Sequence, residues 1–269
     1  MRSILEAEHS TRTVSDADAD APLFVQALAR GMQVLSAFHT ARKPLTLSEI
    51  ASACGMSKSA VQRVIHTLRE LGYVERATDD RGYVPGIRIL DHTLDYQRLN
   101  PLIAHASPVL LELRRNVRER VDLSLRDDLR VVYASRLQSK RETFFATLVG
   151  HSVPIFCTSG GWAMMAHMSD EEVDDILARS DRRPFTAKTI TEPRAIRSQI
   201  RQARQAGYAL ALEQVLPGEV AIGVAIRDGN GVPQAAIHVV GSLGEWEPDA
   251  FGNRFAPLAV EAAQAISRY

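Results

Sequence analysis

Residues 46 to 85 constrain the fold more than any other part of the chain, because they predict two short helices joined by a tight turn. The first helix is expected at Leu47 to Cys54 and ends at Gly55. The second is expected at Ser57 to Leu71 and ends at Gly72. Serine accepts hydrogen bonds from the unpaired amides at a helix start, and glycine adopts the left-handed conformation that ends helices. Helix, glycine-containing turn and helix in this order predict a helix-turn-helix.

A short hairpin follows the second helix. Two strands are expected at residues 73 to 76 and 83 to 85, with a polar turn at residues 77 to 82 between them. A hairpin in this position is a wing, and Arg81 near its tip is a candidate for contact with a phosphate or the minor groove. A solvated turn arginine is the alternative interpretation of Arg81.

The second helix has two chemically different sides, since residues three and four apart lie on one side of a helix. The inward side is expected to consist of Val61, Val64, Ile65 and Leu68. The other side carries hydrogen-bond donors, namely Lys58, Ser59, Gln62, Arg63, His66 and Arg69. Arginine and lysine suit guanine edges or phosphates, glutamine pairs with adenine, and serine contacts either.

We therefore predict that this side enters the major groove of double-stranded operator DNA. The alternative is a solvated amphipathic helix. The candidate DNA contacts are Ser57, Lys58, Ser59, Gln62, Arg63, His66 and Arg81.

The length and the net charge of the chain limit the number of domains and the kind of DNA binding that this motif can belong to. A chain of 269 residues is too long for one helix-turn-helix module and fits about two domains. The whole chain is neutral, but residues 21 to 93 contain nine Lys and Arg against six Asp and Glu, a net charge of +3. This modest charge suits a protein that reads base edges and argues against a histone-like binder.

The two cysteines, Cys54 and Cys157, are not part of a Cys-x-x-Cys pair and have no histidines at metal spacing. We expect no disulfide framework, metal site or cofactor, and a reduced cytoplasmic location. No apolar stretch approaches the roughly 18 residues of a membrane span, and the start of the chain lacks the basic-then-apolar order of a secretory signal. Residues 1 to 21 are acidic and poor in apolar groups, so a disordered arm is expected there.

After residue 21, the predicted organisation of the chain consists of three segments. The DNA-binding domain spans residues 22 to 86, a linker helix residues 87 to 100, and a second domain residues 101 to 269. The first helix of the DNA-binding domain is expected from Leu23 to Phe38. Its inward residues are predicted from helical spacing to be Val25, Leu28, Met32, Leu35 and Phe38.

The second domain alternates helical and strand patterns. Helices are expected at residues 101 to 120, 161 to 167, 170 to 179, 191 to 207 and 248 to 267, and strands at residues 121 to 126, 130 to 137, 143 to 148, 208 to 213, 220 to 227 and 232 to 240. A mainly antiparallel sheet enclosed by helices predicts an α+β fold.

Short segments across both domains resemble the IclR-type transcriptional regulators. In the first domain they are residues 24 to 31, 45 to 51 and 68 to 74. In the second they are Val149-Gly150, Pro154, Thr158 to Gly161, Gly207 to Ala209 and Ile226 to Asp228. The order and spacing of the segments carry the resemblance.

The resemblance implies a homodimer or tetramer with a winged helix-turn-helix and a carboxy-terminal GAF-like or profilin-like domain. That domain would bind a small organic acid effector and mediate oligomerisation. The effector would favour one arrangement of the DNA-binding domains by a coupling free energy on the order of 1–3 kcal/mol. The operator would be palindromic or repeated.

The resemblance also implies an effector pocket. Ser159 and Gly160 match backbone that meets the effector carboxylate, and Ala221 matches a position that is often polar. His238 and Val240 match two positions that are often serine in binders of small acids. These changes favour a larger, more apolar effector, such as an aromatic acid from a catabolic pathway.

Three other residues are candidates for the pocket. Trp162 replaces a commonly basic residue and is expected to narrow or roof the pocket, and His151 and Cys157 flank Pro154, with Cys157 as pocket wall. The alternatives are a core position for Trp162 and, for His238, a strand histidine bound by a neighbour. No catalytic residue is predicted, because nothing in the spacing supplies Cys157 with a base and an orienting group.

Two other functions remain as alternatives. One is an enzyme formed by the carboxy-terminal domain and fused to a DNA-binding module. The other is an architectural DNA binder that has no effector.

Overall fold

The computed structural model describes residues 22–78, 80–138 and 149–268. These residues form two compact units, one up to Tyr96 and the other from Gln97 on. The predicted acidic arm and the predicted strand at residues 143 to 148 lie outside the described residues.

The first unit contains the predicted helices and hairpin. Its elements are α1 (Gln26–Ser36), a 3-10 turn (Ala37–Thr40), α2 (Leu47–Cys54), α3 (Lys58–Glu70), β1 (Val74–Arg76) and β2 (Tyr83–Pro85). Helix α4 (Ile89–Leu99) follows and includes the boundary between the units.

Side-chain caps fix both helices of the helix-turn-helix. The Thr46 hydroxyl accepts from the Glu49 amide, and the Glu49 carboxylate accepts from the Thr46 amide at 2.8 Å. This backbone hydrogen bond and Lys43 lower the pKa of Glu49 to about 2. Gly55 ends α2 with φ +61°, and the Ser57 hydroxyl accepts from the Ala60 amide at the start of α3. The predicted start and end of both helices therefore follow from capping chemistry.

The predicted inward side of α1 is wrong at three positions. Val25, Leu28 and Met32 are each more than half exposed, whereas Val34 is fully buried and belongs with Phe38 to the core of the unit. Val34 lies two residues beyond Met32, and two residues turn a helix by about 200°, so the two side chains lie on opposite sides. The apolar residues Val25, Leu28 and Met32 do recur at helical spacing, but they lie on the exposed side of α1.

The second unit is built on one antiparallel sheet. Its helices are α5 (Pro101–Val117), α6 (Ser159–Met165), α7 (Asp170–Arg179), α8 (Pro193–Ala206) and α9 (Pro248–Ser267). Its strands are β3 (Arg120–Asp127), β4 (Arg130–Leu137), β5 (Ser152–Pro154), β6 (Ala209–Leu212), β7 (Glu219–Arg227) and β8 (Pro233–Ser242). In the described residues the strand order is β5-β4-β3-β8-β7-β6, and every neighbouring pair is antiparallel. The predicted α+β class is confirmed.

Two helix ends differ from the prediction for local reasons, and one strand is additional. Helix α5 ends at Val117 rather than near Arg120, because Arg118 adopts a left-handed conformation with φ 58°. Helix α6 begins at Ser159 rather than Gly161, because the Thr158 hydroxyl accepts from the Gly161 amide and caps it. Strand β5 was not predicted.

The two faces of the sheet pack against different partners. One face presents Leu123, Ile222 and Ile237 to a core completed by residues of α5 and α9. The other presents smaller and polar side chains, among them Ala236 and Ala209, to the core around α6. The second face contains the candidate effector cavity.

Candidate DNA interface and effector cavity

The donor side of α3 is exposed along its length. Val61 and Ile65 are buried, and Val64 and Leu68 pack against the same core, which fixes the orientation of the helix. The exposed residues on the other side are Ser57, Lys58, Ser59, Gln62, Arg63, His66 and Arg69. The structure therefore brings the sequence-predicted candidates of α3 together on one accessible surface.

The wing is attached to the chain segment before α2. Leu45 and Tyr83 exchange two backbone hydrogen bonds of 3.0 and 2.8 Å. Gly82 permits this approach, because its φ is +145° and a Cβ atom there would lie 2.9 Å from the Leu45 carbonyl oxygen. The Arg76 guanidinium lies 4.9 Å from the centre of the Tyr83 ring. Arg81 is exposed in the turn of this fixed hairpin.

In the second unit, the amino-terminal turn of α6 lies directly on the sheet. A Cβ atom on Gly160 would come within 2.4 Å of the His238 ring, and one on Gly223 of β7 would come within 2.2 Å of the Ser159 backbone. Both positions therefore need glycine for the helix to reach the sheet. This contact places Ser159 beside His238.

His238 is a buried, neutral imidazole in the middle of the sheet. Its Nε2 atom lies 2.8 Å from the Ser124 hydroxyl, and its Nδ1 atom lies 3.2 Å from the Ser159 hydroxyl. Burial lowers the pKa of His238 to about 4, although the nearby Asp122 opposes this shift. The ring is thus uncharged at neutral pH, and both of its nitrogens have hydrogen-bond partners. This arrangement corresponds to the alternative interpretation of His238 as a strand histidine bound by a neighbour.

A group of buried charges lies next to His238. Asp122 is fully buried and receives hydrogen bonds from Arg136 at 2.8 Å and from Arg120 at 3.0 Å. Burial alone would raise the pKa of Asp122, but the two guanidinium groups hold it below its usual value. Arg120 also donates to Glu219 at 2.8 Å. In this group, the two positive charges of the arginines equal the two negative charges of Asp122 and Glu219.

A small cavity lies over these groups. Only about 20 Å³ of it is wide enough for the centre of a water molecule, which is room for roughly one water. It is lined by Arg120, Tyr133, Cys157, Thr158, Ser159, Ala211, Glu213, Gln214, Val215, Glu219, Ala221, His238 and Val240.

The cavity includes five of the eight predicted pocket residues. These are Cys157, Ser159, Ala221, His238 and Val240. Gly160 lies against His238 and does not line the cavity.

The two remaining candidates, Trp162 and His151, do not line the cavity. Trp162 is buried and donates its indole N–H to the Phe156 carbonyl at 2.6 Å, which corresponds to the core alternative rather than to a pocket roof. His151 stacks against Tyr133, with ring centres 6.2 Å apart, and does not line the cavity.

The sequence interpretation missed the charged part of the cavity. Arg120, Asp122 and Ser124 alternate along β3 between apolar residues, so they share one face of the strand. Polar groups that face a predicted core are expected to be hydrogen-bonded to one another or to a ligand, and this signal was present in the sequence.

A winged helix-turn-helix and a separate α+β unit with a polar internal cavity define the class of ligand-responsive transcriptional regulators. Family profiles agree with this assignment: "IclR helix-turn-helix domain" matches residues 27–78, and "Bacterial transcriptional regulator IclR C-terminal" matches residues 95–268. The chain belongs to the IclR family of transcriptional regulators, and the resemblance noted in the sequence is confirmed.

Individual relatives cover nearly the whole chain. The "Pca regulon regulatory protein" of Pseudomonas putida is 29% identical over 91% of this chain and 84% of its own length. The crystal structure of Thermotoga maritima IclR has a TM-score of 0.68 and 26% identity, and the match covers 90% of this chain and 97% of that one. An IclR homologue from Microbacterium hydrocarbonoxydans, complexed with 4-hydroxybenzoate, has a TM-score of 0.73 and 26% identity, with 90% and 98% covered.

The named relatives are regulators and repressors rather than enzymes, which confirms the expectation that this chain is not an enzyme. Within the described residues, no helix has both the length and the apolar character needed to cross a membrane.

Proposed function

We propose that the protein binds operator DNA through the exposed side of α3 and the wing, and that an aromatic carboxylic acid in the effector cavity controls this binding. The pathway regulated would be a catabolic one. The observation that carries the DNA proposal is the single exposed surface formed by Lys58, Gln62 and Arg63, because such donors reach base edges only if nothing else covers them.

The residues that line the cavity support an aromatic acid. The lining includes the apolar side chains of Ala211, Val215, Ala221 and Val240, and it also includes the hydroxyl groups of Thr158 and Ser159 and the guanidinium group of Arg120. An apolar wall suits a ring, and a cluster of donors suits a carboxylate. The Microbacterium homologue was crystallised with 4-hydroxybenzoate, which has this combination of groups.

The cavity must enlarge before it can hold a ring, because it now has room for roughly one water. Most of its walls are buried strands and the start of α6. The segment of residues 213 to 219 contributes three partly buried lining residues, Glu213, Val215 and Glu219, and its residues 217 and 218 are exposed. We therefore place the required movement in this segment.

The exposed side of α1 supports a dimer. Leu28 and Met32 lie one turn apart and are 63% and 57% exposed. An exposed apolar strip of this kind is typical of an interface. A dimer would read two half-sites related by its symmetry.

The proposal is tested on duplexes selected by the full-length protein from a random library. Binding is measured by fluorescence anisotropy at fixed salt, with and without 4-hydroxybenzoate or benzoate. We expect the acid to change the dissociation constant by about 5- to 150-fold, the usual range of allosteric coupling. Selection of no preferred sequence would contradict specific DNA binding, and an unchanged constant with every aromatic acid would contradict the effector class.

A further inference from the structure

The guanidinium of Arg120 is shared between two carboxylates at the wall of the cavity. Its Nε atom donates to Asp122 at 3.0 Å, and its Nη2 atom donates to Glu219 at 2.8 Å. Arg120 and Glu219 both line the cavity. An anionic ligand that enters the cavity therefore meets an arginine that already has acidic partners.

The two carboxylates differ in their freedom to leave Arg120. Asp122 is fully buried and is also held by Arg136 through two hydrogen bonds of 2.8 Å. The side chain of Glu219 is 19% exposed. Moving Asp122 would leave a second arginine buried and uncompensated, which is expensive, whereas Glu219 can turn towards water.

The position of Glu219 in the chain also favours its movement. It is the first residue of β7 and directly follows Gly218, which has φ +75°. Glu219 therefore joins the sheet to the segment of residues 213 to 219, which contributes Glu213 and Val215 to the cavity wall and is exposed at residues 217 and 218. Removal of its side chain from the cavity would both release one donor of Arg120 and enlarge a space that now holds roughly one water.

We propose that Glu219 occupies, on Arg120, the position that the carboxylate of the effector takes, so that effector binding exchanges one carboxylate for another. This inference rests on the proposed effector function and adds to it an anchoring residue, Arg120, and an internal competitor, Glu219. The exchange conserves the charge balance of the buried group, because a bound carboxylate replaces the charge that moves to solvent. A carboxamide of the same shape brings no charge and cannot replace Glu219 in this way.

The test compares Glu219→Gln with the wild-type full-length chain by isothermal titration calorimetry. The probes are benzoate, 4-hydroxybenzoate and butyrate, each with its carboxamide. We expect Glu219→Gln to bind at least one carboxylate about five- to tenfold more tightly than wild type, because a neutral amide competes less well for Arg120. The carboxamides should show no such gain.

Two further variants distinguish the loss of the Glu219 contact with Arg120 from the loss of a negative charge in the cavity wall. Glu213→Gln removes a negative charge from the same cavity wall, but the Glu213 carboxylate accepts from the Gly218 amide at 2.8 Å rather than from Arg120. Its gain in carboxylate affinity should be smaller than that of Glu219→Gln. Glu219→Asp keeps the charge but shortens the reach to Arg120, and we expect an intermediate gain. It also provides the measurement if Glu219→Gln does not fold.

The outcomes distinguish this inference from the proposed function. If aromatic acids bind wild type and Glu219→Gln equally, the effector class stands and the exchange is refuted. If only butyrate gains affinity in Glu219→Gln, the exchange stands and the aromatic class fails. If no carboxylate binds any folded variant, Arg120 is not an anchor, and both the exchange and the carboxylic acid effector are refuted.

Discussion

The imidazole of His238 lies between the hydroxyl groups of Ser124 and Ser159, with N···O distances of 2.8 and 3.2 Å. A neutral imidazole donates through one nitrogen and accepts through the other, so two hydroxyl groups satisfy it without any charge. Protonation would place a charge in the buried centre of the sheet and remove the accepting nitrogen. The arrangement therefore makes the stability of the second unit depend on pH.

We predict that the free energy of unfolding decreases as the pH falls from about 6.5 to about 4. The pKa of His238 is about 4 in the folded protein and 6.5 as a model value, so only the unfolded chain takes up this proton in that window. Well above pH 6.5 the ring is neutral in both states and contributes no pH dependence. At about 1.4 kcal/mol per pH unit, the contribution between pH 7 and pH 5 is about 2 kcal/mol, as an order of magnitude.

Urea unfolding of wild type and His238→Gln at pH 7 and pH 5 measures this contribution, since glutamine can bridge two hydroxyl groups but does not titrate. The difference between pH 7 and pH 5 should be smaller in the variant by about 2 kcal/mol. His66→Gln, at an exposed position of α3, is the control and should retain the wild-type difference. Equal pH dependence in wild type and His238→Gln would contradict the prediction.

Local chemistry explains which parts of the fold could be predicted from the sequence. The bounds of α2 and α7 were predicted correctly, because a capping residue begins each helix and Gly55 ends the first. The match of α9 to the predicted residues 248 to 267 has the same kind of cause, since Pro248 suits a first turn. Signals of this kind act over a few residues and do not depend on the rest of the chain.

The missed features depend on tertiary structure instead. On α1 the spacing of Leu28 and Met32 resembles that of core residues, but only the packing of Val34 shows which side is buried. In the cavity, Arg120 and Glu219 are 99 residues apart and meet through their strands. The resemblance to the family directed attention to His238 and Val240, while the pairing of β3 with β8 determined which charges lie beside them.

A methyl group at Gly160 should destabilise the second unit by about 1–3 kcal/mol, as overpacking of a core does. The added Cβ atom in Gly160→Ala would lie 2.4 Å from the His238 ring and 2.9 Å from the Ala236 Cβ atom, and both neighbours are buried. Thermal unfolding measures the effect. Gly229→Ala is the matched control, because a Cβ atom there meets nothing within 4 Å. A similar melting temperature for the two variants would show that α6 does not need glycine at this contact.

A charge on the exposed side of α1 should weaken self-association. Met32→Glu places a carboxylate in the apolar strip that includes Leu28, and burying that charge at an interface is unfavourable. Sedimentation equilibrium should show a higher dissociation constant for the variant than for wild type. Gln26→Glu adds the same charge near the helix start, where a carboxylate is favourable, and serves as the control. Identical association of Met32→Glu and wild type would exclude this strip from the interface.

Removal of the Arg63 side chain should weaken operator binding by about 1–3 kcal/mol if Arg63 reads a base. The residue is exposed on the donor side of α3, one position beyond Gln62, while Val61 and Ile65 anchor the helix. Anisotropy titrations of Arg63→Ala against the selected operator, and against the operator with single base changes, measure both affinity and specificity. A base contact predicts that one base change which weakens the wild type no longer affects the variant. A phosphate contact predicts an equal loss on every sequence and a smaller dependence on salt.

Arg201→Ala, on α8 of the other unit, is the control for charge alone, because it also removes one exposed arginine. If Arg63→Ala binds the operator with wild-type affinity, the assignment of α3 as the recognition helix loses its central residue.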